Sequence, residues 1–197
     1  MLTTRSGWQP AFDLWLLVAI GAALLALTLI GPVVHARLGD IAFVSLAVTQ
    51  GLLVAYATRL AEICPERQAL WLIFGVALAL RAALLFVPPH LSTDIYRYVW
   101  DGRVQGAGIN PYRYLPAAPE FAPLRDAAIY PFINRKDYAP TIYPPSAQML
   151  FFLTTRLSDG LVAMKLVLIA FEAVTAAVVL GFLLRLGGPA TRVLAYA

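Results

Sequence analysis

The sequence is short of charge, of cysteine and of any run of like-charged residues. Charged residues make up 13% of its 197 positions, about half the share found in an ordinary soluble domain. The single cysteine, Cys64, has no partner for an internal disulfide, and one thiol alone makes a poor metal site. The net charge of +4 is scattered, with no basic stripe, and gives no support to nucleic-acid binding. What fills the chain is apolar: 60% hydrophobic residues and a mean hydropathy of +0.74. Disorder, collagen, a disulfide scaffold and a coiled coil are excluded by this composition. The class that remains is an all-α polytopic membrane protein.

The few charges locate the spans. Residues 14–34 form a stretch of 21 without a charged side chain, between Asp13 and Arg37, and about 20 residues cross the hydrocarbon core. Arg5 and the sequence Val34-His35-Ala36 allow a signal-peptide reading. The apolar run is longer than the usual h-region of about 7–15 residues, which favours an uncleaved first span. A turn at 31–40, with Gly31, Pro32 and Gly39, leads to a second span at 41–58. Residues 68–89 give a third, interrupted by Arg81 and stopped by Pro88-Pro89.

The character then changes. Residues 90–142 hold eleven Asp, Glu, Lys or Arg, residues 88–145 hold ten of the fourteen prolines, and residues 96–143 hold seven of the nine tyrosines. Disordered segments are poor in aromatics, so this stretch reads as an ordered loop domain. After it come a short helix at 146–157, a turn at Ser158-Asp159-Gly160, and a long helix at 161–184 containing Lys165 and Glu172. A new apolar stretch opens at 193–197. The reading is about five transmembrane helices and the start of a sixth, in a chain expected to be the N-terminal portion of a longer protein. Its parts are 1–89, three spans; 90–142, the loop; and 143–197, further spans.

Within the loop, residues 91–103 read as a helix. Ser92 or Thr93 can cap it, Asp94 in its first turn complements the dipole, and Gly106 and Gly108 end it. Asp94, Arg97, Tyr98 and Asp101 then share one face, beside an apolar face with Ile95 and Val99. Such a helix, next to a span, is expected to lie flat at the interface with its polar face toward water or a cleft. Its Asp and Arg residues either pair with each other at i, i+3 and i+4, or place Asp94 as a base beside anion-binding arginines. Tyr143, where the chain re-enters the apolar region, reads as a belt residue or as a ring for packing on a sugar.

Three segments carry a family resemblance: Leu91-Ser92-Thr93-Asp94-Ile95-Tyr96-Arg97-Tyr98-Val99-Trp100-Asp101-Gly102-Arg103, then Gly108-Ile109-Asn110-Pro111-Tyr112, then Thr141-Ile142-Tyr143-Pro144-Pro145. Together they resemble bacterial polyprenyl-phosphate-sugar glycosyltransferases of the C-type membrane fold, in the glycosyltransferase family 87 and DUF2029 group, which includes mannosyltransferases. The resemblance covers the chain from about Arg81 onward. It implies a multi-pass protein of the bacterial cytoplasmic membrane. The loop would be extracytoplasmic, carry membrane-parallel helices and present Asp94 as catalytic base. The partners implied are a polyprenyl-phosphate-linked sugar as donor, the hydroxyl of a glycan or lipid as acceptor, and membrane lipid. Substrate-binding candidates at the matching positions are Arg97, Tyr98, Asp101, Arg103, Asn110, Tyr112 and Tyr143, with Arg81 at the edge of the resemblance. No cofactor is implied, and Asp94 and Asp101 alone do not define a divalent-metal site. The positive-inside rule, counted literally, favours a cytosolic loop, because six basic residues lie in it. That rule weakens as loops approach ~60 residues.

The alternative is a transporter or flippase for a lipid or polar solute, using Arg81, Lys165 and Glu172 as intramembrane charges. An inactive membrane fragment is a third reading. For Arg81 alone, snorkelling toward the interface competes with a place in an active-site cleft. Lys165 and Glu172, two turns apart, share a helix face that suits structural polar contacts.

Overall fold

The structure is a computed structural model that describes residues 9–197. Arg5, which gave the signal-peptide reading its positive n-region, lies outside the described residues. The regular structure is helical throughout them. In chain order it comprises α1 (Gln9–Ala61), α2 (Glu66–Leu85), α3 (Asp94–Gly106), α4 (Pro145–Leu157) and α5 (Leu161–Arg185). Short 3-10 turns occur at Pro119–Leu124, Tyr130–Phe132 and Ala190–Ala195.

The stretch expected to hold two spans and a ten-residue turn is a helix broken at one residue, Gly39, with φ 78°. Glycine enters this left-handed region without a Cβ penalty. Gln50 Nε2 donates to Thr28 Oγ1 at 2.8 Å, so the two arms of α1 lie side by side and the chain reverses at the break. Pro32 stays inside the first arm: one proline removes a single helical hydrogen bond, which does not turn the chain around.

Three stretches are long and apolar enough to cross a membrane: Phe12–Ala61, Glu66–Leu85 and Leu161–Arg185. The expected count of about five is not reached. The two arms of α1 count together here. The 13 residues of α4 rise about 20 Å, short of the ~30 Å hydrocarbon core. Residues 193–197, expected to open a sixth span, belong largely to the Ala190–Ala195 turn, where Val193 is fully buried. Only 11% of the most apolar window of α2 and 6% of that of α5 is buried. Such bare apolar helix surface suits lipid and not water.

The chain divides into two compact units, Met1–Leu84 with Glu172–Ala197, and Leu85–Phe171. The first has a core of small and aliphatic side chains, among them Leu17, Ile20, Leu24, Ala57, Ala69 and Ile73. Here Arg81 Nε donates to Glu172 Oε2 at 2.9 Å, and its Nη1 donates to the carbonyls of Ala77 at 3.1 Å and Ala197 at 2.8 Å.

The second unit has an aromatic core built around α3. Val99, Trp100 and Val104 meet Phe121, Ile129, Ile133, Phe151 and Met164. Trp100 stands edge-on to Phe121 at 5.9 Å. The Pro- and Tyr-rich chain between α3 and α4 is ordered by local bonds. Arg125 Nη2 donates to the Ala117 and Ala118 carbonyls at 2.6 and 2.8 Å, and Asp126 Oδ1 accepts from the Ile129 amide at 2.7 Å. Lys165 Nζ donates to the carbonyls of Leu85 and Val87 at 3.1 and 2.6 Å, which caps the end of α2 with a cation, the favourable sign for a helix C-terminus.

Gly102 sets the spacing of α3 and α4. A Cβ there would run into the Phe151 carbonyl oxygen and stand 2.6 Å from Thr155 Oγ1. Gly102→Ala is therefore expected to destabilise the protein by about 1–3 kcal/mol, seen as a lowered thermal midpoint in detergent. An unchanged midpoint would show that the two helices separate at no cost.

Candidate functional site

The first turn of α3 is assembled as its sequence suggests. The Asp94 amide donates to Ser92 Oγ at 3.1 Å, while Thr93, at the N-cap position, makes no side-chain bond. The helix closes at Gly106, and Gly108 takes φ 76° just beyond. Much of the helix is packed inside its own unit. Tyr96, Arg97, Val99, Trp100, Asp101, Gly102 and Val104 are all buried. The polar face expected toward water or a cleft is instead split. Asp94 and Tyr98 remain half-buried, while Arg97 and Asp101 are closed off at 4% and 1% exposure. The two charges pair with each other along the helix, and their remaining hydrogen-bond partners arrive from distant segments of the same unit.

Asp94 lies on the rim of a cavity of about 220 Å³, shared with Arg97, Asn134, Arg135, Thr141 and Tyr143. Asn134 Nδ2 donates to Asp94 Oδ1 at 2.5 Å, and Tyr143 lines the same cavity. The Asn134 bond holds the Asp94 carboxyl below its ordinary range. Partial burial works against this; the Ser92 and Tyr143 hydroxyls and the charge of Arg135 work with it. Tyr143 is pushed far the other way by burial and by Tyr98 and Asp94 beside it, so it keeps its proton. Tyr98 is raised as well, by burial and then by the Asp94 charge.

The tyrosines expected to bind substrate come together here. Tyr98 packs edge-on to Tyr143 at 5.0 Å and stacks on Phe151 at 4.6 Å. Tyr112 Oη donates to the Tyr143 carbonyl at 2.5 Å, and Asn110 Oδ1 accepts from the Tyr112 amide at 2.9 Å. Asn110 thus forms the turn that carries Tyr112, a common role for Asn before Pro.

The arginines are distributed otherwise. Arg97 Nε donates to Asp101 Oδ1 at 2.8 Å, and its Nη1 donates to the Ala139 carbonyl at 3.2 Å. Arg103 lies near the far end of α3. There it donates to Asp126 Oδ2 at 2.6 Å and Asp159 Oδ1 at 2.8 Å, on the wall of a second cavity of about 470 Å³ that includes Arg156. Arg81 belongs to the other unit. Among the described residues no group of three or more His, Cys, Asp or Glu is assembled for a metal.

Sequence reasoning missed Asn134, Arg135 and Gln148. Arg135 is exposed and has φ 54°, the one positive φ outside glycine among the described residues. Its carbonyl accepts from the Tyr138 and Ala139 amides at 3.3 and 3.0 Å. A non-glycine residue in this region costs about 1–3 kcal/mol and persists where the surroundings enforce it, which is often at functional sites. Nothing in the sequence around Asn134-Arg135 signals this. No protein-family model, no curated protein and no solved structure matches the chain.

Proposed function

We propose that this chain is a membrane glycosyltransferase that moves a hexose, mannose being the leading candidate, from a polyprenyl-phosphate donor to an acceptor hydroxyl on a glycan or lipid. The observation that carries the reading is the Asp94 carboxylate: ionised, partly open, and fixed at a cavity rim beside Arg135. The motif resemblance supplies the reaction class. In this reading residues 90–142 face the outside of the bacterial cytoplasmic membrane, and membrane lipid brings the donor to them.

Asp94 takes the proton of the acceptor hydroxyl as that oxygen forms its bond to the anomeric carbon. The bond from that carbon to the phosphate oxygen breaks on the opposite face, its electrons leave with the phosphate, and the configuration inverts. Phosphate leaves well unaided, so the second carboxylic acid of a glycoside hydrolase is not required. The leaving phosphate does need positive charge at its oxygens. Arg97 is committed to Asp101, and Arg103 to Asp126 and Asp159. Arg135, whose charge is felt at Asp94, is assigned the phosphate. Tyr98 and Tyr143 offer ring surface beside Asp94.

The transporter alternative relies on Arg81, Lys165 and Glu172, and each of these is engaged: Arg81 with Glu172, Lys165 with two carbonyls. The test is sugar transfer from radiolabelled polyprenyl-phosphate hexoses by membranes containing the protein. Arg135→Gln should raise the donor KM by about 10–100-fold, the worth of a hydrogen bond to a charged group, and lower kcat less. Membranes that transfer no hexose from any such donor would overturn the reading.

A further inference from the structure

One end of the first unit gathers positive charge that the proposed reaction does not use. Arg59 stands in the last turn of α1 and Arg67 in the first turn of α2, on either side of the short connection at 62–65. Arg192 Nε donates to Glu62 Oε1 at 2.7 Å, which fastens the turn after α5 to the same connection. Arg185 closes α5. The Arg81–Glu172 pair sets its level. Fourteen residues back along α2 from Arg81 is Arg67, thirteen on along α5 from Glu172 is Arg185, and either run is about 20 Å. All four arginines are exposed, and the acids at this end are Asp13, Glu62 and Glu66. The reversal of α1 at Gly39 forms the other end and holds Arg37 beside Asp40.

Thr58, Arg59, Glu62, Arg192 and Ala195 line a cavity of about 320 Å³. The Arg59 side chain makes no hydrogen bond among the described residues. Arg192 gives Glu62 its Nε donor, one of five on a guanidinium, and keeps its Nη groups for a ligand. Two guanidinium groups at one mouth suit a phosphate, which each can hold bidentately. What lies beside the mouth decides what carries the phosphate. Val48, Leu52 and Tyr56 recur every four residues along α1, all exposed, and Arg59 stands on the same helix face. An anion free in water has no use for that apolar stripe. A lipid does, with its acyl chain along the stripe and its headgroup at the arginines. Trp71, one turn into α2 from Arg67, is exposed as well. Tryptophan and tyrosine collect at the membrane–water interface, so Tyr56 and Trp71 mark this level as one.

We propose that Arg59 and Arg192 form a seat for the phosphate of an anionic glycerophospholipid, whose acyl chain runs along Val48, Leu52 and Tyr56. Basic pockets between membrane helices take anionic headgroups in this way, and nearby basic residues draw such lipids toward them. Arg67 and Arg185 supply that wider charge. A polyprenyl phosphate shares the chemistry of a phosphate on an apolar tail. The stripe faces outward to bulk lipid, which commits the seat to phospholipid. The inference is independent of Asp94 and of hexose transfer.

The full chain, in neutral detergent, is titrated with dioleoyl phosphatidylglycerol and with dioleoyl phosphatidylcholine, and bound lipid is counted by native mass spectrometry. Phosphatidylglycerol should bind roughly 25-fold more tightly, a factor of five for each of the two arginines. Arg59→Gln and Arg192→Gln should each lose about fivefold, and the double variant should bind the two lipids alike. Arg37→Gln, at the other end of the unit, should bind like the wild type. Thermal midpoints without lipid show which variants are folded. Arg59 has no side-chain bond to lose, so Arg59→Gln decides the matter if Arg192→Gln unfolds. Inorganic phosphate, added as competitor, should not displace phosphatidylglycerol, and a polyprenyl phosphate should compete no better than phosphatidylglycerol itself. Five outcomes overturn the inference: equal binding of the two lipids, wild-type affinity in folded Arg59→Gln, an equal loss in Arg37→Gln, displacement by inorganic phosphate, or preferential capture of the polyprenyl phosphate. Hexose transfer is no part of the readout, so a failure here leaves the reading of Asp94 standing, and a failure of that reading leaves the lipid titrations to decide this one.

Discussion

Asp94→Asn should cut hexose transfer by about 10²–10⁴-fold, the usual contribution of a positioned general base, with the protein folded and inserted. The two side chains are nearly isosteric. The asparagine oxygen can still accept from Asn134 Nδ2, which now donates to Asp94 Oδ1, and the Ser92 cap uses the backbone amide. What is lost is the ability to take a proton. The pH dependence has a definite sign. Because the folded carboxyl lies below its ordinary value of 3.8, Asp94 is ionised at neutral pH and is lost as a base only when pH falls through that lowered value. The stability that its bonds contribute follows the same course, present above the unfolded value and lost on acidification through the folded one. The rate should therefore show no acid limb from Asp94 above about pH 5. Transfer at the wild-type rate by a folded Asp94→Asn protein would remove the base assignment.

Asp101→Asn should do the opposite: cost stability first and chemistry second. Arg97 and Asp101 form a buried pair, and removing one partner of such a pair typically costs about 3–5 kcal/mol, because the other charge is left uncompensated. The hydrogen bonds add to the cost. Asp101 Oδ2 accepts from Gln148 Nε2, and an asparagine amide placed there would face a donor with a donor. Turning Gln148 over would in turn break its bond from Gln105. Against a total stability of about 5–15 kcal/mol, this is a large fraction. It should appear as loss of the monodisperse detergent-solubilised protein at temperatures the wild type tolerates. Wild-type thermal stability in Asp101→Asn would mean that the pair is solvated.

The contrast between these two aspartates shows what the sequence made legible. Ser92-Thr93-Asp94 and Gly106 mark the ends of α3 because caps are local, and Asp94 in the first turn follows from them. The surroundings of Arg97 and Asp101 are not local. A helix face of Asp, Arg, Tyr and Asp at i, i+3, i+4 and i+7 reads as a wet surface until Ala139, Thr141 and Gln148 are brought to it from 38 or more positions away in the chain. Arg135 was hidden for a similar reason. An arginine beside a lysine in a turn looks solvated, and only its backbone angle and its proximity to Asp94 set it apart. The membrane character was plain from composition. The number of spans was not, because charge spacing does not distinguish a short helix such as α4 from one that crosses. Nor does it show that α1 reverses within a single glycine.

The proline-rich connection between α3 and α4 has a consequence for the unfolded chain. Seven prolines lie in residues 107–144. Each ring fixes one backbone dihedral before folding starts, and each X-Pro pair confines the preceding residue as well. The segment therefore has fewer conformations to give up than a flexible chain of equal length, and such a reduction is worth about 0.4–1 kcal/mol for each compatible proline. Much of the ordering that brings Thr141 to Gln148 and Tyr143 to Asp94 is thus written into the denatured ensemble, and the buried polar bonds need only select among the few arrangements that remain.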